Sequence, residues 1–435
     1  MKKIRNILTL ALSALFLGGF LLAAILTPDK TDSLSERRKL AQRPALRAAA
    51  VADGTYMTAF EKYTLDQFPL RDGFRALKAF FSGDILRQLD NNGVYAAGGH
   101  LAKLDYPVNT DLVRHAAERF SAVYETYFAA SGANVYYTVV PDKNYFLAEQ
   151  NGYPAMDYEL LTDTMRAGMP YAEYIDIFET LSLDNYYRTD THWRQETLGE
   201  TAARIAAAMG ASLPAEYESV DTLVPFRGVY AGQYALPVEP DALCYLANDT
   251  IRALRVYDYE TSAEIPVYDL TLAAGRDGYE MFLGGTKALL TLENPGAETD
   301  RELVLFRDSF GSSIAPLLAQ GYAKVTVVDI RYMASALVAR FVDLSQADDV
   351  LFLYSTSVLN HSETIQGKAI PGRPTPAGED GCMGRFSAFC TGGGLYFNRS
   401  GQKARPRRRG SCGNQICAQR APFPARREAR RDRRP

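Results

Sequence analysis

A three-layer α/β domain built on a mostly parallel sheet is predicted by three observations. Short apolar runs at 134–140, 303–306, 323–330 and 350–354 read as buried strands. Stretches with helical spacing at 113–130, 312–320 and 335–344 precede or separate them, the alternation expected of strand-helix-strand units. With 47% apolar and 23% charged residues in a chain of 435, there is enough apolar surface for a sizeable core.

In chain order, Met1-Lys-Lys-Ile-Arg5 is basic and Ile7 to Leu26 is an uncharged apolar run, long enough to cross the roughly 30 Å of membrane hydrocarbon as a helix. The basic flank is expected to stay in the cytoplasm and the bulk of the chain outside it. The Ala23 to Pro28 boundary fits a small-x-small cleavage site poorly, so residues 1–29 are expected to be a cytoplasmic tip and an uncleaved single-pass anchor, with a cleaved signal peptide as the alternative.

Residues 30–55, polar and rich in Arg and Ala, read as a linker leading away from the membrane. Residues 56–209 read as the first part of the α/β domain. Within it, helical spacing from Phe60 to Leu86 is interrupted at Pro69, and an amphipathic helix spans Val113 to Ala130 with His115 on its surface. A strand at Asn134–Val140 then runs into Pro141-Asp-Lys143, and a helix follows from Arg194 to Met209.

Residues 210–300 break the alternation with short Val, Tyr, Leu and Thr stretches between Gly, Pro and Asp, the pattern of β-hairpins. They are expected to form a β-rich insertion, with substrate contact and a purely structural role both open. Residues 301–362 complete the α/β domain. From 363 to 435 the periodic pattern stops. Between Gln366 and Pro435 stand 14 Arg and 2 Lys against 4 acidic residues, a net of +12, which leaves −15 on residues 1–365 of a chain that carries −3. An Arg-rich arm for nucleic acid or anionic lipid is one reading of this tail. The mixture of Arg, Pro, Gly, Ala and Cys is also what a GC-rich gene gives when read in a shifted frame, and the tail is expected to be such a product and disordered. Resequencing the 3′ end of the gene tests that expectation.

Four of the five cysteines, Cys382, Cys390, Cys412 and Cys417, lie in this tail, and only Cys244 in the body. They form no Cys-x-x-Cys pair, and a lone body cysteine has no disulfide partner there, so neither a structural metal nor a cofactor is expected. The acidic body argues against nucleic acid as a partner.

Chemistry concentrates in two segments. Of four histidines, only His192 has a carboxylate two residues before it, in Asp190-Thr-His192-Trp193, the tryptophan being the only one in the chain. In an extended loop, residues i and i+2 face the same side, so Asp190 can hold the imidazole in one tautomer. The second segment, Phe306-Arg-Asp-Ser309-Phe-Gly-Ser-Ser, joins a predicted strand to a predicted helix. Such a turn presents a serine hydroxyl at the carboxyl edge of the sheet, as a nucleophile elbow does, although Gly-x-Ser-x-Gly is absent. A turn histidine and an N-cap serine are the structural alternatives. Taken together, Ser309, His192 and Asp190 supply a nucleophile, its base and the carboxylate that orients the base.

These two segments resemble those of the DHHW proteins and the related AlgX/AlgJ-type SGNH hydrolase-like domains. Weaker strings agree: Ser35-Glu-Arg-Arg-Lys-Leu-Ala41, Asp66-Gln-Phe-Pro-Leu-Arg71, Pro141-Asp-Lys-Asn144 and Val328-Asp-Ile-Arg-Tyr332. The resemblance implies an SGNH-hydrolase-like domain in permuted motif order, with the Asp-His segment before the serine. Position 191 is Thr, not a second His, and position 307 is Arg where many SGNH enzymes have Gly.

On this analogy the chain is a membrane-anchored, extracytoplasmic enzyme. It moves an acyl group, acetyl above all, onto a secreted or wall polysaccharide through an acyl-Ser309, with a multi-pass membrane acyltransferase as partner. An esterase with the same triad and a non-catalytic polysaccharide-binding scaffold are the alternatives. Lys143, Arg331 and Tyr332 lie where a parallel sheet binds ligands, beyond the carboxyl ends of its strands, and are the candidate substrate contacts.

Overall fold

The computed structural model describes residues 2–366. The expected basic tail, with its four cysteines, lies outside the described residues apart from its first four positions.

Eight strands form the central sheet: β1 (Asn134–Val140), β2 (Glu173–Tyr174), β3 (Arg255–Asp258), β4 (Ala263–Ile265), β5 (Leu289–Glu293), β6 (Glu302–Arg307), β7 (Lys324–Val328) and β8 (Asp349–Ser355). Their spatial order is β4-β3-β5-β7-β6-β8-β1-β2. The five strands from β7 to β2 run parallel, whereas β5, β3 and β4 are added antiparallel at one side.

Alternate side chains along each central strand go to opposite faces, as the period of two requires. Leu303, Leu305, Leu351 and Leu353 join one core with the helices Gly199–Ala208 and Gly311–Leu318. Val304, Phe306, Val350 and Phe352 join the other with the helices Thr110–Tyr127 and Tyr158–Gly168. Strands buried on both faces read as unbroken apolar runs, and this is why these were legible in the sequence. The predicted three layers are present.

Three expectations change. The region 210–300 does not stand apart: β3, β4 and β5 extend the main sheet, and only the hairpin Glu218–Phe226 with Asp241–Ala247 forms a sheet of its own. Antiparallel addition is decided by edge pairing between distant segments, which hydrophobic pattern does not encode. The helix expected from 335 to 344 is one turn, Ser335–Val338, and that from Arg194 begins as a 3₁₀ turn, Gln195–Thr197, before Gly199–Ala208.

The region 30–55, expected as a linker, also contains packed structure. Asp32–Ser33 and Arg38–Lys39 pair antiparallel, and Arg37 at the turn is 5% exposed. Glu36 is bonded to Arg71, and Ser35 donates to Asp72 at 2.8 Å. The turn is thus clamped to the helix Arg71–Phe80. At the N-terminus, Lys2–Leu26 is a helix long and apolar enough to cross a membrane, with no buried residue.

Candidate active site

Ser309 follows β6 at its carboxyl end and precedes the helix Gly311–Leu318. The turn is pinned by Asp308, which is fully buried. One carboxylate oxygen accepts from the Phe310 amide at 3.0 Å, and the other accepts from the Ser355 amide at 2.8 Å and hydroxyl at 2.7 Å, so the ends of β6 and β8 are stapled together. Arg307 stands where the resemblance led one to look for glycine, and Gly311 makes room for it. A Cβ at 311 would lie 2.5 Å from Arg307 Cβ, closer than real carbon contacts come.

The Asp190 loop meets this turn. His192 Nδ1 lies 2.6 Å from Asp190 Oδ1, and His192 Nε2 lies 2.8 Å from Ser309 Oγ. Asp190 is fully buried, while His192 and Ser309 are only partly covered. Burial alone would raise the Asp190 pKa. His192, Arg37 and the Val229 amide outweigh that effect and hold the carboxyl well below its usual range. It is therefore an anion that accepts from Arg37 Nη1 at 2.8 Å and from the Val229 amide at 2.7 Å.

Trp193 explains why tryptophan follows the histidine. Its Nε1–H is 2.7 Å from Ser313 Oγ and 3.1 Å from the Phe310 carbonyl oxygen, which ties the histidine loop to the serine turn through the core. Tyr279 stacks on the imidazole, with ring centroids 3.8 Å apart and planes 5° from parallel. Its hydroxyl donates to Ser313 at 2.8 Å, and burial holds the phenol well above its ordinary pKa, so it stays a donor. Gln195 completes the frame: its Nε2 donates to the Ser313 carbonyl oxygen at 2.6 Å and its Oε1 accepts from the Leu246 amide at 2.8 Å.

Gly228 is required by close approach, since a Cβ there would lie 2.2 Å from Asp190 Cβ. Its amide donates to Thr189 Oγ1 at 2.9 Å, and the next residue supplies the amide that binds Asp190.

A cleft of ≈ 360 Å³ opens over the triad, its lining including His192, Ser309, Tyr279, Arg307, Arg331 and Tyr332. Two of the three candidate substrate contacts, Arg331 and Tyr332, are therefore on the cleft wall. Arg331 donates to Asp329 from Nε at 2.9 Å and Nη2 at 2.7 Å, and Arg307 lies 3.5 Å from the same carboxylate. Arg331 and Arg307 thus share one fully buried anion, and the equally buried Asp308 carboxylate also acts on Arg331. The Arg307 Nε–H, buried, has no hydrogen-bond partner among the described residues.

Lys143 is elsewhere. It is 2% exposed and does not line the cleft. Its Nζ donates to the Tyr187 and Arg188 carbonyl oxygens at 3.0 and 3.3 Å and sits over the Tyr230 ring, bracing the loop that leads into Asp190. Burial pushes its pKa down to about 7. The strand-end position was visible in the sequence, but the direction of a long side chain was not.

Arg37, Gly228 and Tyr279 had not been singled out for the site by sequence. Arg37 falls within one of the weaker strings of the resemblance, the one signal that pointed to it. Gly228 and Tyr279 lie in the β-rich region, where spacing gives no hint that these loops fold over the histidine.

No family model matches the chain, and no curated protein does. Among solved structures, a DHHW family protein from Eubacterium siraeum shares the fold at a TM-score of 0.51 and 20% identity, over 64% of this chain and 97% of that one. PatB1 of Bacillus cereus, solved with a sulfonyl adduct, aligns at a TM-score of 0.50 and 16% identity, over 63% and 98% of the two chains. The O-acetyltransferase domain of Pseudomonas putida AlgJ gives a TM-score of 0.39 at 13% identity, and the fold assignment rests on the first two. The likeness read from the two motifs thus extends to the fold.

Proposed function

We propose that the chain is a serine-dependent acyl-group enzyme in which Ser309 is the nucleophile, His192 its base and Asp190 the orienting anion. The observation that carries this reading is the continuous contact from Asp190 through His192 to Ser309, at 2.6 and 2.8 Å, with the serine open to a cleft. A hydroxyl is a weak nucleophile until its proton has somewhere to go, and this arrangement gives it a path.

As Ser309 Oγ attacks an acyl carbonyl, its proton passes to His192 Nε2, and the buried Asp190 anion stabilises the resulting imidazolium. The carbonyl oxygen gains charge, which the guanidinium groups of Arg307 and Arg331 on the cleft wall favour electrostatically. Collapse returns the proton from His192 to the leaving group and leaves an acyl-serine. An acceptor hydroxyl then loses its proton to His192, attacks the ester and releases Ser309, which recovers its proton. With a sugar hydroxyl as acceptor the reaction is transfer; with water it is hydrolysis.

By the motif resemblance the acceptor is a cell-surface or secreted polysaccharide, the acyl group is acetyl, and a multi-pass membrane acyltransferase delivers it. The apolar helix Lys2–Leu26 would anchor the enzyme with its α/β domain outside the cytoplasm. The division into 1–29, 30–55, 56–209, 210–300 and 301–362 is retained as chain segments; 56–209 and 301–362 share one sheet, and in permuted order the Asp-His segment precedes the serine.

The test uses purified full chain, a chromogenic acetyl ester and candidate glycans. Acetylated glycan that exceeds free acetate supports transfer, free acetate alone points to an esterase, and neither product from folded protein supports the scaffold.

A further inference from the structure

The helix Arg71–Phe80 and the single π-helical turn after it, Phe81–Ile85, carry an apolar stripe on the outside of the molecule. Leu70, Phe74, Leu77 and Phe81 recur at helical spacing and are 75%, 41%, 50% and 49% exposed. Phe80, Ile85, Leu86 and Leu89 widen the patch. The side of this element that packs inward is narrow and small, Ala79 and Ser82. Soluble proteins seldom leave so many large apolar side chains contiguous in water.

What covers the stripe is indicated by the helix Lys2–Leu26. Phe20 on that helix stacks with Phe68 at 5.4 Å and lies 5.7 Å from Phe74. Phe20 precedes the end of its helix by six residues, about 9 Å of rise. If Lys2–Leu26 spans the bilayer, Phe68 and Phe74 lie about 9 Å below the level of its outer end, the depth at which an interfacial amphipathic helix buries its apolar face. The basic residues on the same element are turned to other business: Arg71 to Glu36, Arg75 to Asp72 at 3.2 Å and Lys78 to Asn91 at 2.7 Å. Those three cations are held to protein partners, while Asp84 and Arg87 are charges that stay exposed on the same stretch.

We propose that residues 68–89 are a second membrane contact, an interfacial element that lies in the outer leaflet beside the anchor. This inference rests on the anchor reading and goes beyond it: the domain does not swing on a tether but rests on the bilayer. The same element clamps the turn that carries Arg37, so the contact that fixes the height of the domain also holds a residue of the active site.

The test places tryptophan in the full chain in lipid nanodiscs, as Phe81→Trp and Ile85→Trp, both clear of the anchor contact. Native Trp193 is fully buried and serves as an internal reference. With lipids brominated on the upper acyl carbons, the new tryptophans are expected to lose emission relative to unbrominated nanodiscs, and wild type is expected not to. Unquenched, water-exposed emission from protein that co-elutes with the nanodiscs overturns the proposal while leaving the anchor intact. Blue-shifted emission without quenching also overturns it, because the stripe then packs on protein. Failure to enter nanodiscs at all contradicts the anchor reading and this proposal together.

Discussion

Arg37 Nη1 lies 2.8 Å from Asp190 Oδ2, across 153 residues of chain, so the carboxylate that orients His192 is itself held by a residue that follows shortly after the apolar helix Lys2–Leu26. Arg37 adopts a left-handed backbone conformation, φ 53°, at a cost of about 1 kcal/mol for a residue with a side chain. A second ion pair, to Asp277, fixes the guanidinium from the other side. Without Arg37, a fully buried anion loses its counter-charge. Arg37→Met is expected to lower kcat roughly 10- to 100-fold with little change in KM, and Arg37→Lys to restore part of the loss. Equal loss of kcat in both variants, or a change confined to KM, would count against a positioning role.

Gly228 permits the backbone to pass against Asp190, and Gly228→Ala places a methyl group where the Asp190 side chain is. The loop must shift, carrying away the Val229 amide that binds the carboxylate. Expected outcomes are a loss of about 1–3 kcal/mol in denaturant unfolding and a larger proportional loss of activity.

Ser313 accepts from both Trp193 and Tyr279, the residues that brace the histidine loop and the imidazole face. Ser313→Ala takes the acceptor from the buried Tyr279 hydroxyl and leaves the other donor, Trp193, only its longer bond to the Phe310 carbonyl oxygen, and is expected to cost about 1–3 kcal/mol of stability. Trp193→Phe removes one of those donors, so in a double-mutant cycle the combined loss should fall short of the sum of the single losses. Strict additivity would mean that the contact carries no coupling.

Lys143 gives the fold a pH dependence of its own. Burial lowers its pKa to about 7 in the folded state, against an ordinary value near 10.5. Between those values the unfolded chain binds more protons than the folded one at this site, so its contribution to stability rises with pH from about 7 upward. In Lys143→Met that component should vanish. Unfolding free energies of both proteins at pH 7 and pH 9 check this, and an identical pH difference in the two would refute it.

The sequence made some of this legible and hid the rest for identifiable reasons. Asp190 and His192 are two residues apart and Ser309 sits at a strand-helix junction, so local geometry constrained all three. The central strands are buried on both faces and carried their own signal. Arg37, Gly228 and Tyr279 reach the site only because distant loops converge, and no periodicity records such convergence. Arg331 and Tyr332 lie on the cleft wall as their strand-end position suggested. Lys143, also at a strand end, turns inward, because nothing in a lone lysine distinguishes a carbonyl-bonded brace from a ligand contact.

The central claim is that Ser309 accepts the acyl group with His192 as its base. Brief incubation of the full-length protein with an activated acetyl ester, acid quenching and peptide mass mapping tests it directly. An acetyl group on the peptide that holds Ser309, absent from Ser309→Ala and strongly reduced in His192→Ala, is the predicted result. A folded wild-type protein that stays unmodified, or is modified on Ser309 to the same extent without His192, would contradict it.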